Sequence, residues 1–241
     1  MKKVLLLVVL SYTLCLKGFA TTFWDCCKPS CSTYNFGNEN LARQCDVNMN
    51  ILKDYSAKSL CEGGSATTCI DHIPTVVNDT LAYAFGAVSV PRPCGKCFQL
   101  TFTGKGKYET TLNHENLKGK KLIVIASNFG YDVISEQIDI LIPGSGVGIF
   151  NGCDNILGTD LGDRYGGFLS VCENEVGWSK TDEEIYEERK ECLRKKCNAA
   201  FSGKSTFLKG CLFQADWMEA AKYPLFEYEE VDCPAELKAK Y

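Results

Sequence analysis

Few residues in this chain can do proton chemistry. His72 and His114 are the only histidines, and each sits in a short polar stretch ("DHIP", "NHEN") that reads as ordinary loop. There is no G-x-S-x-G elbow, no HExxH and no phosphate-binding loop. Acid–base work therefore falls to carboxylates. Two aspartates stand out by their surroundings. Asp25, in "TTFWDCCKPSC" (21–31), follows Phe23 and Trp24 and precedes a cysteine pair. Asp139 interrupts the apolar run "QIDILIP" (137–143). A carboxylate among apolar groups is costly as an ion, so its pKa rises toward neutrality. That is the setting of a proton donor or acceptor. Asp132 lies seven residues before Asp139, after "NFGY", on a loop. Each aspartate also has a plainer reading: Asp139 can point outward from a half-exposed strand, and Asp25 can cap a turn.

The segments around them read mainly as strands. "CFQLTFTG" (97–104) is β-rich and stops at glycine. "KKLIVIASN" (120–128) is a nearly continuous apolar run, as in a strand buried on both faces, and "QIDILIP" is another, ended by Pro143. "FEYEEVDC" (226–233) alternates as a half-exposed strand does. The stretch 21–95 reads as loops and short strands held by disulfides. Helices are few. "TDEEIYEERKECLRKKC" (181–197) opens with Thr181 and Glu184 in capping-box spacing and places acids early and bases late. Its thin apolar stripe (Ile185, Tyr186, Cys192, Leu193) implies a surface helix pinned by cysteine. "QADWMEAAK" (214–222) reads as a second, shorter helix. "GSGVG" (144–148) lacks a following helix and reads as a tight loop.

Composition bounds the setting. Lys2 and Lys3, the run "VLLLVVL" and the small residues Gly18 and Ala20 form a signal-peptide pattern, with a cut expected after Ala20. That divides the chain into a leader, 1–20, and one domain, 21–241, that is secreted and has no membrane anchor. Of 15 cysteines, Cys15 lies in the leader, which leaves an even 14 for an oxidising compartment. "CGKC" (Cys94, Cys97) has redox-motif spacing, but so many other cysteines favour a stapled framework. The scattered spacings imply neither zinc nor an organic cofactor. The leader carries three lysines and no acid, so the 26 bases and 30 acids of the full chain leave −7 beyond it. Such a chain is a poor partner for nucleic acid or an anionic membrane. Asn78-Asp79-Thr80 is a glycosylation sequon.

These residues resemble glycoside hydrolase family 45, the small secreted endo-β-1,4-glucanases. "TTFWDCCKPSC" is similar to the family's opening signature. The likeness continues through "CEGGSATTC" (61–69), "VNDTLAYAFGAV" (77–88), "CFQLTF" (97–102), "IDILIPGSGVGIFNGC" (138–153), "RYGG" (164–167), "GCLFQADWMEAA" (210–221) and "CPAEL" (233–237). The resemblance implies a mainly β fold, a six-stranded double-psi β-barrel with an open surface groove. It implies inverting hydrolysis of a β-1,4-glucan by a monomer, with Asp139 as general acid, Asp25 as general base and Asp132 assisting. Inversion sets the two carboxyls about 6.5–9.5 Å apart, leaving room for a water. Phe23, Trp24, Lys28 and Tyr34 fall at substrate-binding positions, although Trp24 also suits core packing. The implied disulfides are Cys26–Cys153, Cys27–Cys61, Cys31–Cys94, Cys45–Cys69 and Cys97–Cys233. Cys172, Cys192, Cys197 and Cys211 are left with three possible pairings.

The chain departs from the pattern at several points. Thr22-Phe23 replaces Arg-Tyr, so Phe23 brings no hydroxyl to the sugar; Thr33 replaces an aromatic, Asn151 an acid and Gly95 a cysteine. These changes leave open a preference for xyloglucan or glucomannan over cellulose. A non-hydrolytic, expansin-like glycan binder shares the barrel but lacks the base, and Asp25 argues against it. No linker or binding module is read within 21–241, which implies better action on soluble or amorphous glucan than on crystals.

Overall fold

A computed structural model describes residues 16–34, 40–130 and 132–241, with the backbone only for Asn155. Seven strands are present: β1 (Leu16–Phe23), β2 (Thr75–Asn78), β3 (Leu81–Val88), β4 (Cys97–Gly106), β5 (Lys121–Asn128), β6 (Gln137–Leu141) and β7 (Pro224–Val231). They hydrogen-bond in the order β2-β3-β5-β4-β7-β1-β6, and β6 pairs back onto β3. Six strands therefore close into a barrel, and β2 hangs on β3 as a short hairpin partner. The β1–β6 and β3–β5 pairs are parallel and the others antiparallel. This is the expected double-psi barrel.

Small and large apolar side chains interlock inside it. Ala20, Ala82, Ala84 and Ala126 face Phe98, Leu100, Phe102, Leu122, Ile138, Ile140 and Phe226 in one buried cluster. The alanines leave room for the phenylalanines, and closure removes the sheet edges that would otherwise be exposed. On β6 the period of two sends Ile138 and Ile140 inward and leaves Gln137 and Asp139 on the outer face. Gly86 of β3 lets that strand come close, because a Cβ there would lie 2.7 Å from the Asp139 carbonyl oxygen.

A second buried cluster lies outside the barrel, where the cysteine-rich loops meet the helices. The helices are α1 (Leu112–Glu115), α2 (Gly167–Val176), α3 (Asp182–Ala200), α4 (Ser205–Asp216) and α5 (Ala235–Lys238). Helix α3 opens on the Thr181–Glu184 capping box. It is pinned twice, by Cys172–Cys192 to α2 and by Cys197–Cys211 to α4. The other five bridges are the five pairs that the resemblance implies. Cys94 and Cys97 bond to Cys31 and Cys233, so "CGKC" is not a redox pair.

One element differs from the sequence reading. The expected helix 214–222 ends at Asp216, and the real helix runs upstream from Ser205. Glu219 and Ala220 take φ of +57° and +51°. Lys120 and Lys190 both pair with the Glu219 carboxylate, and these ion pairs override the local helical preference. The expected leader overlaps the described residues only at its end. Strand β1 begins at Leu16 and passes through the cut expected after Ala20; residues 1–15 lie outside the described part. All four β1–β7 pairings, Leu16↔Tyr228 to Phe19↔Leu225, precede that cut. Among the described residues no helix is long and apolar enough to cross a membrane.

Candidate active site

Asp139 is held by strands. It lies opposite Thr21 of parallel β1 and opposite Ala87 of antiparallel β3. Thr21 Oγ1 donates to Asp139 Oδ1 at 2.7 Å, and Gln137 Nε2 donates to Thr21 Oγ1 at 2.7 Å. The side chain points away from the barrel interior, as in the plainer reading, but it enters a cavity rather than bulk water. That cavity, about 240 Å³, is walled by Thr21, Phe23, Asp132, Asp139, Tyr165 and Tyr223 among others. Burial pushes the Asp139 pKa up to about 7, and the Thr21 hydrogen bond opposes that rise. The charges of Asp132 and Asp25 raise it further.

Asp25 is held by loops. Trp24 N–H donates to the Gly146 carbonyl at 2.8 Å, and Gly152 N–H donates to the Asp25 carbonyl at 2.8 Å. The "GSGVG" loop is tight, as expected: Gly146 has φ of +90°, and a Cβ on it would lie 2.5 Å from the Arg164 carbonyl oxygen. Cys26 takes φ of +57°, a left-handed geometry that costs a non-glycine residue about 1–2 kcal/mol. The Cys26–Cys153 bridge and the Thr67 hydroxyl on the Cys26 carbonyl hold it there. Cys27 N–H donates to Asp25 Oδ1 at 2.9 Å, so Asp25 does cap a turn. Its side chain is nonetheless buried, at 9% exposure. Burial raises its pKa to about 6, against the lowering effect of its backbone hydrogen bonds, and the Asp132 charge adds to the rise. Asp25 lies two residues beyond the wall residue Phe23, and Asp132 sits exposed on the β5–β6 loop.

The other expected site residues divide. Phe23 lines the cavity. Trp24 does not: it is 1% exposed and packs edge-on against Phe207 in the core, so it offers no face to a sugar. Lys28 lies outside the cavity lining; its Nζ donates to the Tyr55 and Ala57 carbonyls at 2.7 and 2.9 Å and secures that loop. Tyr34 is 66% exposed beside Tyr55, outside the cavity lining. Asn78 is exposed at the end of β2. Sequence reasoning missed Gln137, Gln214, Lys222 and Tyr223, which line the cavity with Thr21. Gln137 carried a signal in hindsight, two residues before Asp139 on the same strand face. Among the described residues Cys69, Asp71 and His72 converge, but the Cys69 sulfur is bonded to Cys45 and Asp71 pairs with Arg43.

The barrel thus carries an open cavity with Asp139 in its wall, and both Asp139 and the nearby buried Asp25 have carboxyls of raised pKa. The chain belongs to glycosyl hydrolase family 45, whose sequence model matches residues 17–240. It is 40% identical over 233 residues to Endoglucanase B of Cellvibrio japonicus, covering 92% of this chain and 44% of that protein. It is 31% identical over 232 residues to an endoglucanase of Cryptopygus antarcticus, covering 92% of this chain and 87% of that one. The crystal structure of the cellulase from that Antarctic springtail superposes with a TM-score of 0.72, covering 94% of this chain and 95% of the other. This chain spans about half the length of some relatives: 44% of the Cellvibrio protein and 51% of one from Fusarium oxysporum.

Proposed function

We propose that this chain is a secreted endo-β-1,4-glucanase that cuts internal bonds of cellulose or a related β-glucan with inversion. Asp139 is the general acid and Asp25 the general base. The observation that carries the reading is the pair of carboxyls raised by burial, about 7 and about 6, in a chain of family 45. Between those values Asp139 still holds a proton and Asp25 has largely lost its own.

The step then follows. The proton of Asp139 passes to the glycosidic oxygen as the bond to the anomeric carbon breaks, and both bonding electrons leave with that oxygen. A water adds to the opposite face of the sugar and gives its proton to Asp25. Asp132 assists by charge: its carboxylate favours the protonated form of Asp139. Phe23, Tyr165 and Tyr223 offer apolar wall to the sugar rings. No metal or organic cofactor takes part. The seven disulfides suit secretion. The secreted chain acts as a monomer, with Asn78 available for glycosylation. A second reading, preference for xyloglucan or glucomannan, rests on Phe23, which lines the cavity without a hydroxyl.

The test is reducing-end release from carboxymethylcellulose, xyloglucan and glucomannan, with wild type beside Asp25→Ala and Asp139→Asn. Cleavage lost in both variants supports the roles, and the substrate ranking fixes specificity. Binding without any release by wild type would overturn the hydrolase reading.

A further inference from the structure

Gln137, Thr21 and Asp139 form a hydrogen-bonded chain across the β1–β6 pair. The parallel register sets Phe19 opposite Gln137 and Thr21 opposite Asp139, which brings all three polar side chains to one face. Gln137 donates to Thr21 and Thr21 donates to Asp139 Oδ1, each at 2.7 Å. A hydroxyl carries one proton and two lone pairs. With the Gln137 N–H donating to the Thr21 oxygen, the Thr21 hydroxyl has its own proton to give to Oδ1 of Asp139. If Asp139 instead donated from Oδ1, Thr21 would accept twice. Its own proton would then turn away from Asp139 into the cavity that Thr21 lines, and the bond to Oδ1 would run the other way.

We propose that Gln137 is a positioning residue: acting through Thr21, it fixes Oδ1 of Asp139 as an acceptor and places the transferable proton on Oδ2. The proposal rests on Asp139 being the general acid. During transfer the proton leaves Oδ2 for the glycosidic oxygen, and the Thr21 proton stays on Thr21. The Thr21–Asp139 bond strengthens as the carboxylate forms, since hydrogen bonds to charged acceptors are the stronger kind. The chain thus favours the product of proton donation. The other ionisable groups facing Asp139 are Asp25, Asp132 and, along the cavity wall, Arg164, Tyr165, Lys222 and Tyr223. Lys222 is paired with Glu173 at 2.5 Å.

The test is a double-mutant cycle of Thr21→Val and Gln137→Met, read by the pH profile of kcat and by carbon-13 titration of the Asp139 carboxyl. Thr21→Val is expected to move the upper pH limb and the carboxyl midpoint up by about one unit. Its kcat should fall about tenfold, with KM within about twofold. Gln137→Met should shift both readouts the same way by less, and should add nothing in the Thr21→Val background. Thr21→Ser should restore the wild-type limb. A Gln137→Met effect of equal size with and without Thr21 would overturn the relay, as would an Asp139 titration that neither variant moves. The titration needs no turnover. If wild type cleaves no glucan while the titration still shifts, the general-acid reading fails and the hydrogen-bond relay stands.

Discussion

The two aspartates are fixed by opposite means. Asp139 sits mid-strand, and the ladders of β1 and β3 place it on either side. Asp25 sits in irregular chain, where two backbone hydrogen bonds, a left-handed Cys26 and a disulfide to Cys153 take the place of a ladder. Regular structure needs no covalent help to fix a side chain, whereas a loop must offset the entropy of ordering by cross-links. This answers why cysteines crowd Asp25 while none adjoins Asp139 in sequence. It also makes the two halves of the site separately breakable.

The largest effect breaks both halves at the chemistry itself. Asp139→Asn and Asp25→Ala are each expected to lower kcat on a soluble β-1,4-glucan by about 10²–10⁴-fold, as removal of a general acid or base does. A reducing-sugar assay checks this. The next breaks only the loop half. Replacing Cys26 and Cys153 together by serine opens a bridge across 127 residues and is expected to cost about 2–5 kcal/mol in a urea melt. The lower pH limb, assigned to Asp25, should change more than the upper limb, assigned to Asp139, which feels Asp25 only through its charge.

The pH dependence sharpens the comparison. As the proposed base Asp25 must be ionised, so activity should fall as pH drops through about 6. As the proposed acid Asp139 must be protonated, so activity should fall as pH rises through about 7. Stability carries the same signature. The folded pKa of Asp139 lies above its ordinary value of 3.8, so its contribution is fully present below 3.8 and is lost as pH rises toward 7. Asp139→Asn should therefore melt higher than wild type at pH 8, with the gap closing toward pH 4. The smallest effect concerns Lys28, whose ammonium secures the Tyr55–Ala57 loop. Lys28→Met should cost about 1–2 kcal/mol and leave KM within about twofold. A large rise in KM would return Lys28 to the substrate.

The strand half of the site was legible in sequence and the loop half only by likeness. β4, β5 and β6 announced themselves by β-branched and apolar runs, and Asp139 by interrupting one. Asp25 was conspicuous, but no local pattern could tell a turn cap from a catalytic base, and the structure gives it the cap as well. The helix at 205–216 was misplaced because the pairing of Glu219 with Lys120 and Lys190 is a tertiary fact. Gln137 and Thr21 were passed over for the same reason, since they lie 116 residues apart and meet only through strand register. Trp24 was read both ways, and burial decided for the core.

The most direct measurement is a residue-resolved carbon-13 titration of the two carboxyls in the unliganded protein. Asp25 is expected to titrate near 6 and Asp139 near 7, so that at intermediate pH one is mainly ionised and the other still protonated. An Asp139 midpoint near its ordinary 3.8 would leave no proton to donate at the working pH and would contradict the division of labour.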